Sequence, residues 1–375
     1  ERFRSFVEAI DRSNKGKAHF MGDRGKHNVR RFTQLLLGRV LFLYFIQKKL
    51  WLNNEPEFLF TRFKPYQGHE RRNYYWDILE PLFFEGLNRP GQQKKILKET
   101  CTIPYLNGGL FEAKKDFCEA DELTHPVVPN SQFADLFAFL NSYNFTVAES
   151  TPLDQDVDID PEMLGQVFEN LLTAEDRHAS GTYYTPRPIV SFMCRESIFQ
   201  YLSGTTALTR ALYDDLFEAP LDGRLPNIKA DLARHVLTSL ESIRILDPAV
   251  GSGAFLLGTL HELIHLRTVC GRMLGESETV QVARIGQWKR EIVGNNIFGV
   301  DINHEACEIA RLRLWLSMVV DQAEASPLPN LDYRIVQGDT LREHLDGEPI
   351  LPPHTGPGFE KEHNLFGTIK PQGKL

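Results

Sequence analysis

The chain has 375 residues, 42% hydrophobic and 25% charged, with a formal net charge of −8. Those values fit a soluble globular protein of two or three domains with length for a sizeable core. They exclude a globally basic nucleic-acid binder, so any contact with nucleic acid must use a local patch. Five scattered cysteines (Cys101, Cys118, Cys194, Cys270 and Cys307) form no CxxC pair, which argues against a zinc site and a disulfide framework and fits a reducing cytoplasm. The most conspicuous apolar run, VLFLYFI at 40–46, is too short to span a bilayer. No signal peptide is expected from the pattern of the sequence, and Glu1 as first residue suggests a piece of a longer chain.

Residues 1–150 read as a mostly helical N-terminal domain. Phe32, Leu35, Leu36, Val40, Leu43 and Phe45 lie near helical spacing and predict a core helix over 31–52. Ahead of it stands a basic cluster, Arg24, Lys26, His27, Arg30 and Arg31. Such a cluster can contact phosphates, although a solvated helix start is the plainer reading. Arg71 and Arg72 beside Tyr74, Tyr75 and Trp76 could stack bases, but a core aromatic cluster is favoured.

Residues 120–160 read as a joint, and 151–240 as linker and helices. The alternating acids Asp154, Asp156, Asp158 and Asp160 are no calcium loop, because Pro161 and Val167 stand where Gly and Glu are needed. Asp160-Pro161-Glu162 instead starts a helix well. From 181 the sequence reads GTYYTP, and Thr185 as N-cap with Pro186 at the first helical position predicts a loop running into a helix. A loop and then a helix, ADLARHVLTSL, follow before residue 243.

Residues 241–345 carry the pattern of an α/β core. Ile243, Ile245 and Leu246 predict a strand ending on Asp247, then the turn Pro248-Ala249-Val250-Gly251-Ser252-Gly253 and a helix from Ala254. Strand, glycine turn and helix bring bare backbone and a helix N-terminus to a ligand. The dinucleotide fingerprint fits poorly, since Leu256 stands at its third glycine. After a charged insertion at 271–292, Ile297, Phe298 and Val300 predict a second buried strand ending on Asp301. An acid there can accept both ribose hydroxyls, or simply cap the next helix. A third strand, LDYRIVQGDTL, ends at Asp339, where a carboxylate could accept from an exocyclic amine.

These stretches together resemble the N6-adenine DNA methyltransferases of restriction–modification systems. Asp247, Pro248, Ala249, Gly251, Ser252, Gly253 and Phe255 match a first motif similar to DPAxGSGxF. Gly181, Tyr183, Tyr184, Thr185 and Pro186 match the loop that precedes it in this group, and I-F-G-V-D-I-N at 297–303 is similar to the second motif. The resemblance implies a Rossmann-like S-adenosylmethionine-dependent core behind the helical N-terminal domain. It implies that Tyr184, Thr185 and Pro186 close over the methionine end. Asp247, Ala249, Gly251, Gly253 and Phe255 would form the first motif's contacts, Asp301 would hold the ribose, Ile302 an adenine face, and Asp339 with Thr340 the adenine amine. It implies no metal, no membrane and a cytoplasmic enzyme acting on double-stranded DNA, with Arg24, Lys26, Arg30 and Arg31 as candidate contacts. Oligomeric state stays open.

The family's catalytic Asn/Asp-Pro-Pro-Tyr/Phe motif is absent. Pro352-Pro353 follows Leu351 and precedes His354 in a Pro/Gly-rich tail, 346–375, and does not qualify. The chain is therefore expected to be the cofactor-binding part of the methyltransferase, inactive alone. The insertion and the N-terminal helices favour a type IIG-like parent over a type I modification subunit. The alternatives are a non-catalytic DNA-binding or scaffold module of the same fold, and a protein or small-molecule methyltransferase.

Overall fold

The computed structural model describes residues 2–15, 22–69, 71–91, 93–96, 99–106, 109–112, 126–142, 185–219, 225–322, 324–342, 344–345 and 348–349. The acidic joint at 154–160, Gly181, Tyr183, Tyr184, Cys118 and Pro352-Pro353 lie outside them. Two compact units are present, Glu1–Gly338 and Asp339–Leu375.

The larger unit opens with helices α1 (Arg2–Ser13), α2 (Gly22–Lys48) and α3 (Phe58–Phe63). Helix α2 starts nine residues before the expected 31, so the basic cluster occupies its first turns instead of preceding it. Phe42 to Ile46 are all buried, as expected of a helix apolar on every side. A short antiparallel hairpin, β1 (Gln93–Ile96) and β2 (Glu99–Thr102), interrupts the helical region, and α4 (Asn130–Leu140) follows. Tyr74 and Tyr75 are core residues. The Tyr74 ring meets Phe63 and Phe133 edge-on, each at 5.1 Å, and its hydroxyl donates to the Leu59 carbonyl at 3.0 Å. These two offer no ring to a base, as the core reading expected, whereas Trp76 is 39% exposed, with its indole N–H donating to the Pro126 carbonyl at 2.8 Å.

Next come α5 (Arg187–Thr205), α6 (Arg210–Glu218) and α7 (Ala230–Ser242). Pro186, not Thr185, is the N-cap of α5, and its carbonyl accepts from Ile189 and Val190 N–H at 3.0 and 3.1 Å. The helix thus begins one residue later than the Thr-Pro pair suggested. Proline's preset φ suits it to the cap as well as to the first turn.

Three parallel strands form the sheet: β3 (Ile245–Asp247), β4 (Ile297–Asp301) and β5 (Ile335–Gln337), in that spatial order. Ile245 aligns with Ile297, Asp247 with Gly299, and Asp301 with Gln337. Helices α8 (Ala254–Met273) and α9 (Glu278–Asn295) connect the first two strands, and α10 (His304–Val320) leads towards the third. The expected charged insertion at 271–292 is mostly α9, whose Gln281, Trp288, Lys289, Ile292 and Val293 are buried. Two expectations about β3 need correction. It starts at Ile245, because Ile243 still closes α7 through an N–H bond to the Ser239 carbonyl. Leu246 is 58% exposed, since alternation turns it to the face opposite Ile245. The middle strand is β4, with β3 at one edge of the described sheet.

Helix α10 ties the layers together. Every residue after His304 except Glu308 is buried. Helix α2 runs along it in the same direction: Gln34 donates to the Glu305 carbonyl at 3.0 Å and Lys49 to the Val320 carbonyl at 2.6 Å. Gly38 between them lets Leu312 approach, for a Cβ there would lie 3.2 Å from its methyl.

In the smaller unit, Asp339 opens a turn, and β6 (His344–Leu345) pairs antiparallel with β7 (Glu348–Pro349).

Candidate functional site

Local sequence dictates the turn between β3 and α8. Gly251 has φ 49° and Gly253 φ 87°, left-handed values that glycine adopts without a Cβ penalty. Gly253 also presses on α10: a Cβ there would stand 3.1 Å from the Ala310 Cβ and 3.2 Å from its Cα. A Cβ on Gly251 would meet nothing within 4 Å, so that side of the turn is open.

The turn's N–H groups divide into two sets. Ala249 N–H donates to Asp247 Oδ1 at 3.1 Å, Val250 N–H to the Val300 carbonyl at 2.9 Å, Gly251 N–H to Asp301 Oδ2 at 2.8 Å, and Gly253 N–H to the Val250 carbonyl at 2.8 Å. Among the described residues, the N–H groups of Ser252, Ala254 and Phe255 have no acceptor. The last two belong to the first turn of a 20-residue helix, where the helix cannot supply acceptors and the macrodipole favours negative charge.

An acceptor without a donor lies just before these donors. Asp247 Oδ2 is buried and makes no hydrogen bond among the described residues. Burial raises the Asp247 pKa above its ordinary value, the Ala249 N–H opposes that shift, and nearby Asp301 adds to it. A buried carboxylate oxygen without a donor is costly. One turn therefore offers an acceptor for a cation and several donors for an anion, as a zwitterionic amino-acid group requires.

Asp301 is placed differently. Its Oδ2 takes the Gly251 N–H and its Oδ1 takes the Asn303 N–H at 2.8 Å. It braces the turn from β4, a role that the strand-end pattern did not reveal. Each oxygen retains further lone-pair capacity for a hydroxyl. Ile302 follows, 62% exposed. Asn303 caps α10 by accepting from Glu305 N–H at 2.8 Å, so the capping role considered for Asp301 falls to its neighbour.

Helix α5, which follows Thr185 and Pro186 in sequence, packs on α8. Val190 occupies the space over Gly258, and Cys194 Sγ lies 3.5 Å from the Phe255 carbonyl. Thr185 is half-buried and Pro186 exposed. Burial pushes the Cys194 and Cys307 thiols up to about 11, so both are neutral and unsuited to nucleophilic attack. Asp339 and Thr340 belong to the smaller unit, where Asp339 Oδ1 accepts from Leu341 N–H at 3.0 Å.

The basic cluster is not one surface with one role. Lys26 and His27 are exposed, Arg31 lies 2.8 Å from His304 Nε2 at the head of α10, and the Arg24 side chain is outside the described set. Sequence reasoning also missed Arg311 and Arg313. Their signal was two arginines inside the otherwise apolar run IARLRLWL, where a buried charge needs a specific partner.

Comparison with known proteins gives a consistent picture. Residues 226–337 match the family model described as MmeI, DNA-methyltransferase domain. A Methanocaldococcus jannaschii protein named as a type II restriction enzyme and methyltransferase is 32% identical over 341 residues, 84% of this chain and 28% of that protein. DNA methyltransferase A of Bacillus subtilis is 26% identical over 292 residues, 76% of this chain and 27% of its own length. Among solved structures, the type IIL restriction–modification enzyme MmeI in complex with DNA is similar, with a TM-score of 0.52 and 19% identity over 89% of this chain and 40% of that one. This last likeness is one of fold. The chain thus spans less than a third of the length of either curated relative.

Proposed function

We propose, from the premise that this chain is part of a DNA methyltransferase of the restriction–modification kind, that it holds S-adenosylmethionine for methylation of adenine N6 in double-stranded DNA. Asp247 Oδ2, buried without a donor one turn before three unpaired N–H groups, is the observation that carries this reading. The cofactor's ammonium supplies the donor that Asp247 lacks, and its carboxylate fits the Ser252, Ala254 and Phe255 N–H groups. Gly251 leaves that approach free of a side chain, Ala249 adds only a methyl group, and Gly253 lets the turn close on Ala310. Asp301 accepts from the ribose hydroxyls while bracing Gly251, and Ile302 covers an adenine face. Thr185 and Pro186, with Tyr184 before them in the sequence, take the methionine end.

In this reading the three parallel strands and their helices are the beginning of a Rossmann-like core, 241–345. Residues 1–150 form its helical partner domain, 151–240 carry the closing loop, and 346–375 form a tail. When bound, the cofactor supplies an electrophilic methyl group for direct transfer. The residues here bind and orient it. The Asn/Asp-Pro-Pro-Tyr/Phe motif that would hold the target amine is not in the sequence, so this chain methylates nothing by itself. Lys26 and its basic neighbours are candidate phosphate contacts of the parent protein.

The test is calorimetric titration of S-adenosylmethionine into the chain and into Asp247→Asn. Weak but saturable binding is expected, with at least a tenfold loss in the variant, in line with the roughly 1.5–3 kcal/mol of a charge-assisted hydrogen bond. Equal affinity in both proteins, or no binding to the parent chain, contradicts the proposal.

A further inference from the structure

Helix α10 presents Ala310 and Arg313 three residues apart, hence on one face, and both touch the glycine turn. Ala310 lies under Gly253. Arg313 is 3% exposed, and its guanidinium donates to the Ser252 carbonyl at 2.7 Å and to the Ser252 hydroxyl at 3.2 Å. The carbonyl that Arg313 holds and the Gly253 N–H belong to one peptide unit, whose N–H is held by the Val250 carbonyl. That unit is fixed at both ends. The preceding unit is the one whose Ser252 N–H has no acceptor, so locking the first sets the direction of the second.

Two residues earlier, Arg311 does a different job. It donates to the Ile335 carbonyl at 3.0 Å and pairs with Glu308 at 2.8 Å and Asp332 at 3.0 Å, which fastens β5. Burying a guanidinium is expensive without compensation. For Arg311 the compensation includes a pair of carboxylates; for Arg313 it includes the glycine turn.

We propose that Arg313 is a positioning residue for the cofactor's carboxylate, acting through Ser252. It holds the turn in the shape that points the Ser252 N–H outward, and it places a cation behind the anion's seat. This inference rests on the S-adenosylmethionine reading above.

The experiment compares two ligands by calorimetric titration into the full 375-residue chain: S-adenosylmethionine and 5′-methylthioadenosine, which keeps the nucleoside and the sulfur but has no amino-acid end. Arg313→Gln is expected to lose about tenfold in affinity for the first and less than twofold for the second. Arg313→Lys, which keeps the charge but not the planar fork, recovers part of the loss. It also carries the comparison if the glutamine variant melts below the assay temperature. Equal losses for both ligands, or no loss for either, overturn the proposal. A parent chain that binds neither ligand sinks the cofactor reading itself, whereas one that binds both and is indifferent to Arg313 sinks only this inference.

Discussion

The ends of β3 and β4 carry the same residue type in opposite conditions. Asp247 has a buried oxygen without a donor and a raised pKa. Asp301 has both oxygens engaged by backbone N–H groups, one of them in the glycine turn itself. An acid left unsatisfied by its own fold waits for a ligand. An acid satisfied by its fold has a structural role first, and any ligand must share it. The two should therefore separate when affinity and stability are measured side by side.

The largest separation is expected between Asp247→Asn and Asp301→Ala. Asp247→Asn strips cofactor affinity but leaves stability equal or higher, because the buried charge disappears. Asp301→Ala leaves the Gly251 and Asn303 N–H groups without their acceptor, a loss of about 1–3 kcal/mol that urea denaturation would read, together with weaker cofactor binding. If both variants lower stability alike, the contrast fails.

Gly253→Ala sharpens the comparison at the turn. The left-handed φ and the contact with Ala310 together are expected to cost about 1–2 kcal/mol or more, again by urea denaturation. Gly251→Ala meets the same backbone strain without the contact, so its loss should be smaller.

A smaller effect follows from pH. The folded-state pKa of Asp247 lies above its unfolded value, near 3.9, because of burial. Its contribution to stability is fully present below the unfolded value and is lost as pH rises through the folded value. Cofactor binding needs the ionised form to receive the ammonium, so affinity moves the other way: it grows as pH rises through the folded value and falls as pH drops below it. Titrations at several pH values, with Asp247→Asn as reference, should show this fall in the parent chain only.

Much of the site was legible before the structure. The apolar run ending on Asp247, the paired glycines and the apolar helix after them predicted strand, turn and helix, because these are local properties of contiguous residues. The features that escaped depend on residues far apart. Asp301 bracing Gly251 spans fifty positions, and Arg313 holding Ser252 spans sixty-one. Leu246 looks like core in a linear reading and is exposed because alternation turns it to the face opposite Ile245. The early start of α2 was hidden by its polar first turns, which lack the apolar spacing that marked residues 32–45.

The measurement that tests the central claim most directly is a crystal structure of the chain soaked with S-adenosylmethionine. The account predicts density with the ammonium at Asp247 Oδ2, the carboxylate at the Ser252, Ala254 and Phe255 N–H groups, and the ribose at Asp301. Ligand density away from the turn, or a turn left empty at saturating cofactor, would contradict it.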